Sequence, residues 1–553
     1  MSTLQLALHT RPRLLAIRLS LVGRFALRAL TAATLATALL TGMVACNSTP
    51  KPTEASRTPA ILPVETFDAA WTMVRDEHFD STLNGVDWEA VRVELRPKAQ
   101  QASTNEEVRA IIADMLARLG QSHFTIIPSA TAERSPSLTT PNQQGDASTS
   151  SAVAAQNAPA THDDSGLPAN APAAAASKTH GGPGVAGLDI AIVDNEPTIL
   201  RVSAGLPAAR AGVLVGWKLV SVDGNRIDDG LAPIRAALKA ESDPTSPHAR
   251  KLRATLAFAG GSMLAGQAGE QHRVVFMDAS GAEQQALITL EPAPLGTTHF
   301  GNLPPFPIEV ESRIVELPRE AGDTSKPVRV GVISFNIWMT GASEAIDLAV
   351  DALRGCDGIV IDLRGNPGGL GAMSMGVAGH FLRDTSSLGS MIGRENTLEF
   401  RSTPRKVSVD GKRVRPYATR PLAILVDGRS ASTSEVFAGG LQDLGRARIF
   451  GEVSAGMALP AQATELPNGD VLLHAVADFV TSKGTRLEGR GVIPDEVAIP
   501  TRAALLQGDD AALTAATTWI RTTTMIARAA KAAPEATPNA ASGPAIIPYA
   551  MPN

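Results

Sequence analysis

"LAILVDGRSASTSEVFAGGL", residues 422–441, runs from an apolar, strand-like segment through a Gly-Arg-Ser turn directly into a helix-like one. A strand that turns straight into a helix is the unit of an α/β layer, and here it would set a serine at a helix N-terminus. There the dipole and the free N–H groups favour a developing oxyanion. Ser430, Ser432 and Ser434 are the candidates, and each could equally cap the helix. The arrangement shares the geometry of a nucleophile elbow without its Gly-x-Ser-x-Gly sequence. A serine hydroxyl is a poor nucleophile at neutral pH, so a reactive one requires a base from elsewhere in the chain.

Around this stretch apolar strands alternate with helical patterns: "VGVISF", "SEAIDLAVDALRG", "GIVIDLRG", "GLGAMSMGVAGHFL", "LAILVDG", "SEVFAGGLQDLG" and "ARIFGE". That order predicts an α/β layer, and the near-continuous apolar strands predict a sheet covered on both faces. In "IVIDLRGNPGG", residues 359–369, a second strand enters a Gly-rich turn whose N–H groups at Gly368 and Gly369 can face an anion. The turn lacks the Lys-Ser/Thr ending of a phosphate-binding loop, which counts against an ATPase. Asp362 and Arg364 are expected to orient it. "ATELPNGDVLLHAVADFVTSKG" reads as a hairpin turning at Pro467–Asp470.

Upstream, "GVAGLDIAIVDNEPTILRVSAGLPAARAGVLVGWKLVSVDGNRI" is a run of short Val/Ile/Leu strands broken by Gly and Asp-Gly turns. Between it and the N-terminal region, residues 129–180 are rich in Ala, Ser, Thr, Pro and Asn without apolar period, and read as a low-complexity linker. Residues 63–128 carry three apolar stripes at helical spacing: Phe67, Trp71, Val74; Trp88, Val91, Leu95; Val108, Ile111, Ile112, Met115, Leu119. Thr104 with Glu107 predicts a capping box at the third helix, and Gly120 its end. Ser122 and His123 in "QSHFTIIP" then fall on a loop before a strand.

The first 45 residues hold Arg11, Arg13, Arg18, Arg24 and Arg28, no acidic residue, and an uncharged stretch ending "MVAC" at Cys46. A basic segment, a short apolar one and a small-residue end predict an export signal rather than a membrane span. Residues 46–62 read as a Pro/Ser/Thr-rich tether. Without the five arginines the formal charge moves from −5 to about −10, which gives no electrostatic ground for nucleic-acid binding. Cys46 and Cys356 are the only cysteines in the chain, and no His/Cys pattern has metal-ligand spacing; no metal or cofactor is expected.

The "MVAC" ending resembles a lipobox, which implies lipidation of Cys46 and a membrane anchor in the cell envelope, in the periplasm. The segment from "GLDI" through "AGLPAARAGVLVGWKLVSVDG" to "VVFMDASG…ALITLEP" resembles a bacterial PDZ domain over residues 181–293. That implies a strand edge, at Gly187, Leu188, Asp189 and Ile190, that accepts a peptide and holds its C-terminal carboxylate. Together "GVISF…DLRGNPGG…SASTSEVFAGGLQDLGRARIFGE…LEGRGVIPD" resembles the C-terminal-processing and tricorn-type serine peptidases of the tail-specific protease superfamily. The resemblance implies a multidomain α/β chain: helical unit 63–128, PDZ-like unit 181–293, and a crotonase/ClpP-like (spiral) peptidase domain over 294–502. A C-terminal helix, 503–531, and a disordered tail, 532–553, follow.

In that family the nucleophile is the serine of Ser-x-Ser-Glu that falls at Ser432, with oxyanion donors at Thr433 and the Gly368–Gly369 pair. The Ser-Lys branch carries its lysine 25 residues later, where this chain has Met457, and a thioether cannot take a proton from serine. The tricorn-like branch uses a His oriented by a neighbouring Ser, with a Glu from near the C-terminus. Ser122-His123 and Glu488 stand in the corresponding places. This implies His123 as base, the common side chain that titrates near neutrality, with Ser122 fixing its ring and Glu488 either holding Ser122 through a hydrogen bond or helping to place the substrate N-terminus. Lys483 reads as a solvated turn lysine and Asp443 as a helix-end structural residue. The implied protein is a serine endopeptidase acting on polypeptides, with the PDZ-like unit selecting or gating substrate by C-terminus. The alternatives are an inactive PDZ-containing scaffold, motivated by Met457, and a small-molecule hydrolase or apolar-ligand binder on the same scaffold.

Overall fold

The computed structural model describes residues 62–128, 183–243, 245–299, 305–319 and 325–532. The export signal with Cys46, nearly all of the tether, all of the linker and all but the first residue of the tail lie outside the described residues. Within them the chain is a multidomain α/β protein of helices and several sheets. No described helix is long and apolar enough to cross a membrane.

The three stripes form helices Pro63–Glu77, Trp88–Gln101 and Asn105–Ala117, the last opened by the Thr104/Glu107 capping box. Phe67, Leu95, Val108, Ile112 and Met115 are fully buried in their shared core, and the Trp71 and Trp88 indoles each donate to the other's backbone carbonyl (2.9 and 3.1 Å). This core is not closed by the helices alone. Leu466 and Leu472, from the hairpin Ala461–Glu465/Val471–Ala475, complete it.

The short strand Thr125–Ile127 pairs antiparallel with Val471–Leu473 of that hairpin, so the segment just after His123 is stitched to chain that lies more than three hundred residues later. The Arg109 guanidinium grips the fully buried Asp470 carboxylate through two bonds of 2.9 and 2.8 Å. Glu77 reaches the buried His474 ring at 3.0 Å, and Arg394 donates to the carbonyls of His78 and Arg75. Removing one partner of a buried pair leaves the other charge desolvated. Arg109→Ala is therefore expected to lower stability by about 3–5 kcal/mol and Arg109→Lys by less, as read by urea unfolding.

Residues 183–292 close on themselves where Gly184–Val185 pairs with Glu291–Pro292. Inside that closure an antiparallel sheet runs Leu188–Val193, Glu196–Val202, Lys218–Val222, Gln271–Met277, Glu283–Thr289. Helices Ile227–Ala240 and Pro247–Ser262 lie between the strands Lys218–Val222 and Gln271–Met277, and the second packs on the edge strand Leu188–Val193.

The alternating strands and helices build a six-stranded sheet in the order Val310–Leu317, Val328–Phe335, Gly358–Asp362, Leu422–Val426, Arg448–Gly451, Glu496–Val497. The first pair is antiparallel and the rest parallel. Ile359, Ile361, Ile424 and Val426 face helices Thr340–Leu353, Gly371–Ala378 and Thr433–Asp443 on one side. Val360, Ala423 and Leu425 face helix Ala511–Ala532 on the other. Both faces are thus covered, as the continuous apolar strands require. The C-terminal segment expected as one helix is two, Arg502–Leu505 and Ala511–Ala532, interrupted around Gly508 at φ +78°.

Candidate active site

The three serines of the opening stretch have different surroundings. Ser430 is fully buried, donates to the Leu363 carbonyl (2.8 Å) and accepts the Asp427 N–H (3.0 Å). Ser434 is fully buried, donates to the Asn366 carbonyl (3.1 Å) and accepts the Trp338 indole N–H (2.9 Å). Both hydroxyls are spent on packing the turn. Ser432, only partly buried, begins helix Thr433–Asp443 from φ +54°, ψ −117°, a region L-residues rarely occupy. The Glu435 amide donates to the Ser432 carbonyl (2.8 Å), and Ser432 with Glu435 forms a Ser-x-x-Glu capping box at the helix start.

The strained Ser432 backbone is held by its own N–H, which donates to both the Met457 carbonyl (2.8 Å) and Glu435 Oε2 (3.0 Å). Gly368 lies directly against it. A Cβ built on Gly368, at φ +102°, would stand 2.7 Å from the Ser432 Cβ and 3.0 Å from the Thr433 nitrogen. Only glycine fits there. Of the expected oxyanion donors, the Gly368 N–H is already engaged by Asn366 Oδ1 (3.0 Å). The N–H groups of Thr433 and Gly369 have no hydrogen-bond partner among the described residues, and Thr433 Oγ1 ties the two together through the Gly369 carbonyl (2.8 Å). Gly369, not Gly368, therefore has the available donor.

His123 sits at φ +61° in the turn between the third helix and strand Thr125–Ile127. His78, stacked on Phe79 and Phe124, braces that turn by a bond to Gln121 (2.9 Å). Ser122 Oγ lies 2.8 Å from His123 Nδ1 and 2.8 Å from Glu488 Oε2, and Glu488 Oε1 takes the Ser122 N–H (2.9 Å). A hydroxyl has one proton, and the carboxylate can only accept, so Ser122 gives its proton to Glu488 and accepts from His123 Nδ1–H. The hydrogen-bond chain thereby assigns the tautomer: Nε2 keeps its lone pair. Burial pulls the His123 pKa down to about 4, so the ring is neutral at pH 7.

Glu488 Oε2 also takes the Ala458 N–H (2.9 Å), one residue beyond the Met457 carbonyl that binds Ser432. The His123 arm, through Ser122 and Glu488, and Ser432 thus flank one short segment, 456–458. Among the described residues no hydrogen bond joins His123 to Ser432 itself. Met457, at the position of the absent lysine, is 37% exposed. Lys483 is exposed in its turn, where its N–H meets Asp443 Oδ2 (3.3 Å), and Asp443 also takes the Thr481 hydroxyl, so the pair serves that turn. Arg364 forks onto Asp362 (2.9 and 2.7 Å) and onto Asp510 (2.8 Å), which anchors the Gly-rich loop to helix Ala511–Ala532.

The family model described as "Peptidase family S41" matches residues 329–498, the sheet and loops that carry Ser432, Gly369 and Glu488. These residues belong to peptidase family S41. A second model, "Tricorn protease C1 domain", matches residues 64–117, the helices that lead to His123. The S41 region is similar to the carboxyl-terminal-processing proteases of Picosynechococcus sp. (33% identical over 177 residues, 32% of this chain and 40% of the relative) and Synechocystis sp. (33% over 178 residues, 32% and 39%). It is also similar to a probable CtpA-like serine protease of Staphylococcus aureus (28% over 192 residues, 34% and 37%). The chain therefore spans about two fifths of the length of the curated relatives it matches. Among solved structures, the photosystem II D1 C-terminal processing protease aligns with 82% of this chain and 99% of its own at 20% identity, with a TM-score of 0.44.

Of the expected peptide-binding residues, Asp189 and Ile190 have partners in the S41 region. Asp189 does not present a free carboxylate to a ligand: it is held by Arg429 of the S41 region (2.6 Å) and lies 3.5 Å from Arg201. Burial alone would raise its pKa, but the two guanidinium charges hold it at about 2. Arg429 also donates to the Ile190 carbonyl (2.9 Å), on the same strand. Leu188 lies in that edge strand, and the Gly187 carbonyl, at φ +77°, takes the Ser203 N–H (2.9 Å). The strand edge thus faces the S41 region, and sequence proximity gave no sign of it, since Asp189 and Arg429 are 240 residues apart. Two further residues had no assigned role. Asn366, fully buried, bonds the Gly-rich loop to Phe335 and accepts the Ala431 N–H. Glu435 was visible as the fourth position of a Ser-x-x-Glu capping pattern, which is a structural signal and conceals any other role.

Proposed function

We propose that this protein is an exported serine endopeptidase in which Ser432 attacks the scissile carbonyl and His123 Nε2 takes its proton. The one observation that carries the reading is Glu488, whose carboxylate binds Ser122 on one side and the Ala458 amide on the other. It thereby ties the histidine arm to the segment whose carbonyl holds Ser432. His123 enters neutral, with the required tautomer, and its low basicity in the free protein is offset as the Ser122–Glu488 relay stabilises the imidazolium formed on attack. The proton then passes to the leaving amine, and water repeats the sequence on the acyl-enzyme. Thr433 and Gly369 N–H groups stabilise the tetrahedral oxyanion, with Gly368 supplying the close approach. Substrate closure brings Nε2 onto the Ser432 hydroxyl, since catalytic hydrogen bonds tighten when substrate is bound.

Residues 183–292 act in this reading as a PDZ-like unit that gates or selects polypeptide substrates by their C-termini. A peptide adding to the edge at Gly187–Ile190 displaces Arg429 from the Ile190 carbonyl. The exported form is anchored to an envelope membrane through lipidated Cys46. The test is labelling by a fluorophosphonate probe together with cleavage of an unfolded protein. Met457→Ala is expected to change kcat/KM by less than about threefold, because the segment is used through its backbone; a loss of about tenfold or more would return the base to question. Unfolded-protein cleavage absent under all conditions, with the PDZ-like unit still binding peptides, would favour the scaffold reading.

A further inference from the structure

Glu435 is a fully buried carboxylate, and four donors converge on it. Oε1 accepts the Ser454 hydroxyl (2.5 Å) and the Gly456 N–H (2.7 Å); Oε2 accepts the Met457 N–H (2.9 Å) and the Ser432 N–H (3.0 Å). Glu488 takes the next amide, Ala458 (2.9 Å). Three consecutive N–H groups, 456 to 458, are therefore held by two carboxylates, one bonded to the nucleophile and the other to Ser122 beside the base. Such a segment has no freedom to slide without breaking one of the two sets.

We infer that Glu435 is a positioning residue, setting the separation of Ser432 from His123 through the 456–458 segment and holding Ser432 in its strained backbone conformation. This rests on the peptidase reading above. A buried carboxylate that only stabilised the helix start would need the Ser432 amide alone; here three of its four bonds go to residues 454–457, outside the helix. Four donors are satisfied only by the ionised form, which has no proton to put in their way. Burial opposes ionisation and pushes the Glu435 pKa up to about 7. The charged group that faces it from the neighbouring unit is Arg250 of helix Pro247–Ser262. Its guanidinium would lie 3.1 Å from a Cβ on Gly456 and donates to the Gly489 carbonyl (3.3 Å). Glu488, which takes the Ala458 N–H, and His123, linked to it through Ser122, are the other titratable groups tied to the segment.

The test compares Glu435→Gln with the parent on one unfolded-protein or peptide substrate. A glutamine keeps the shape but turns an NH2 toward N–H groups. Misplacement of reacting groups by about 1 Å costs about 100-fold in rate, so kcat is expected to fall about 100-fold with KM within about threefold and the melting temperature changed by only a few degrees. In the parent, kcat/KM is expected to fall as pH drops through Glu435's titration near 7; in Glu435→Gln that limb is absent. Parent activity that survives Ser432→Ala would sink the peptidase reading. Activity lost in Ser432→Ala but unchanged in Glu435→Gln, or a variant whose KM rises while kcat holds, would overturn the positioning role alone. Should Glu435→Gln not fold, Ser454→Ala decides. It removes one donor to the carboxylate, so the acid limb moves to higher pH and kcat at neutral pH drops several-fold; an unmoved limb overturns the inference.

Discussion

Ser432→Ala is expected to fold as the parent does and to cleave an unfolded polypeptide about 10⁵–10⁶-fold more slowly, with no fluorophosphonate label retained. The expected loss is large because Ser430 and Ser434 cannot substitute. Both are fully buried, and both hydroxyls already donate to and accept from backbone or indole partners. What remains in the variant is rate from the Thr433 and Gly369 donors and from substrate binding, which alone typically exceed the uncatalysed reaction by about 10³-fold. Stability is expected to change little. The Glu435 amide keeps its bond to the Ser432 carbonyl in the variant, and alanine suffers the same backbone strain at φ +54° as serine. The measurement is steady-state cleavage of a fluorogenic polypeptide alongside a thermal melt. Cleavage retained within about tenfold of the parent would remove Ser432 from the mechanism.

His123→Ala is expected to lower kcat by about 10³–10⁴-fold with a small change in KM, since the ring acts on the proton in flight and not on ground-state binding. Its supporting residues should each cost less than the ring itself. Ser122→Ala removes the acceptor that fixes the Nδ1–H tautomer and is expected to cost about 10²-fold. Glu488→Gln leaves a neutral group in the relay and replaces an acceptor of the Ala458 N–H by a group only half able to accept, and a similar loss is expected. Added imidazole should restore part of the activity of His123→Ala by entering the vacated space, and should do nothing for Ser432→Ala. A His123→Ala protein with kcat unchanged would remove His123 as the base and require another group to take the Ser432 proton.

Much of this architecture can be read along the chain because its determinants are local. The stripes Phe67/Trp71/Val74 and Val108/Ile112/Met115 become buried helix faces, and Thr104 with Glu107 becomes a formed capping box. The unbroken strands "GIVID" and "LAILV" become central parallel strands with both faces covered. The candidate residues Ser432, His123, Ser122 and Glu488 came from motif resemblance, and the absence of lysine at Met457 directed the choice toward histidine. Local patterns are silent where one residue type serves two ends. Asp189 in a carboxylate-binding loop and Asp189 in an ion pair with Arg429 have the same sequence context; the difference lies in what packs on the strand. Gly368 and Gly369 are likewise indistinguishable by composition, and only Asn366 Oδ1, by occupying the first N–H, separates them.

What the amino-acid sequence determined by itself is therefore the set of elements and the chemistry available at their ends: a serine at a strand-to-helix turn, glycines at a second such turn, and a Ser-His pair leaving a helix. Periodicity, turn propensity and capping act within a few residues, so they are present in any one segment. Which of these ends meet was decided by tertiary structure. Glu488 reaches Ser122 across 366 residues because Thr125–Ile127 pairs with Val471–Leu473, Leu466 and Leu472 finish the helical core, and Arg109 grips Asp470. No local preference encodes such a pairing. It exists because burying those apolar faces and that carboxylate together is more favourable than leaving each to water.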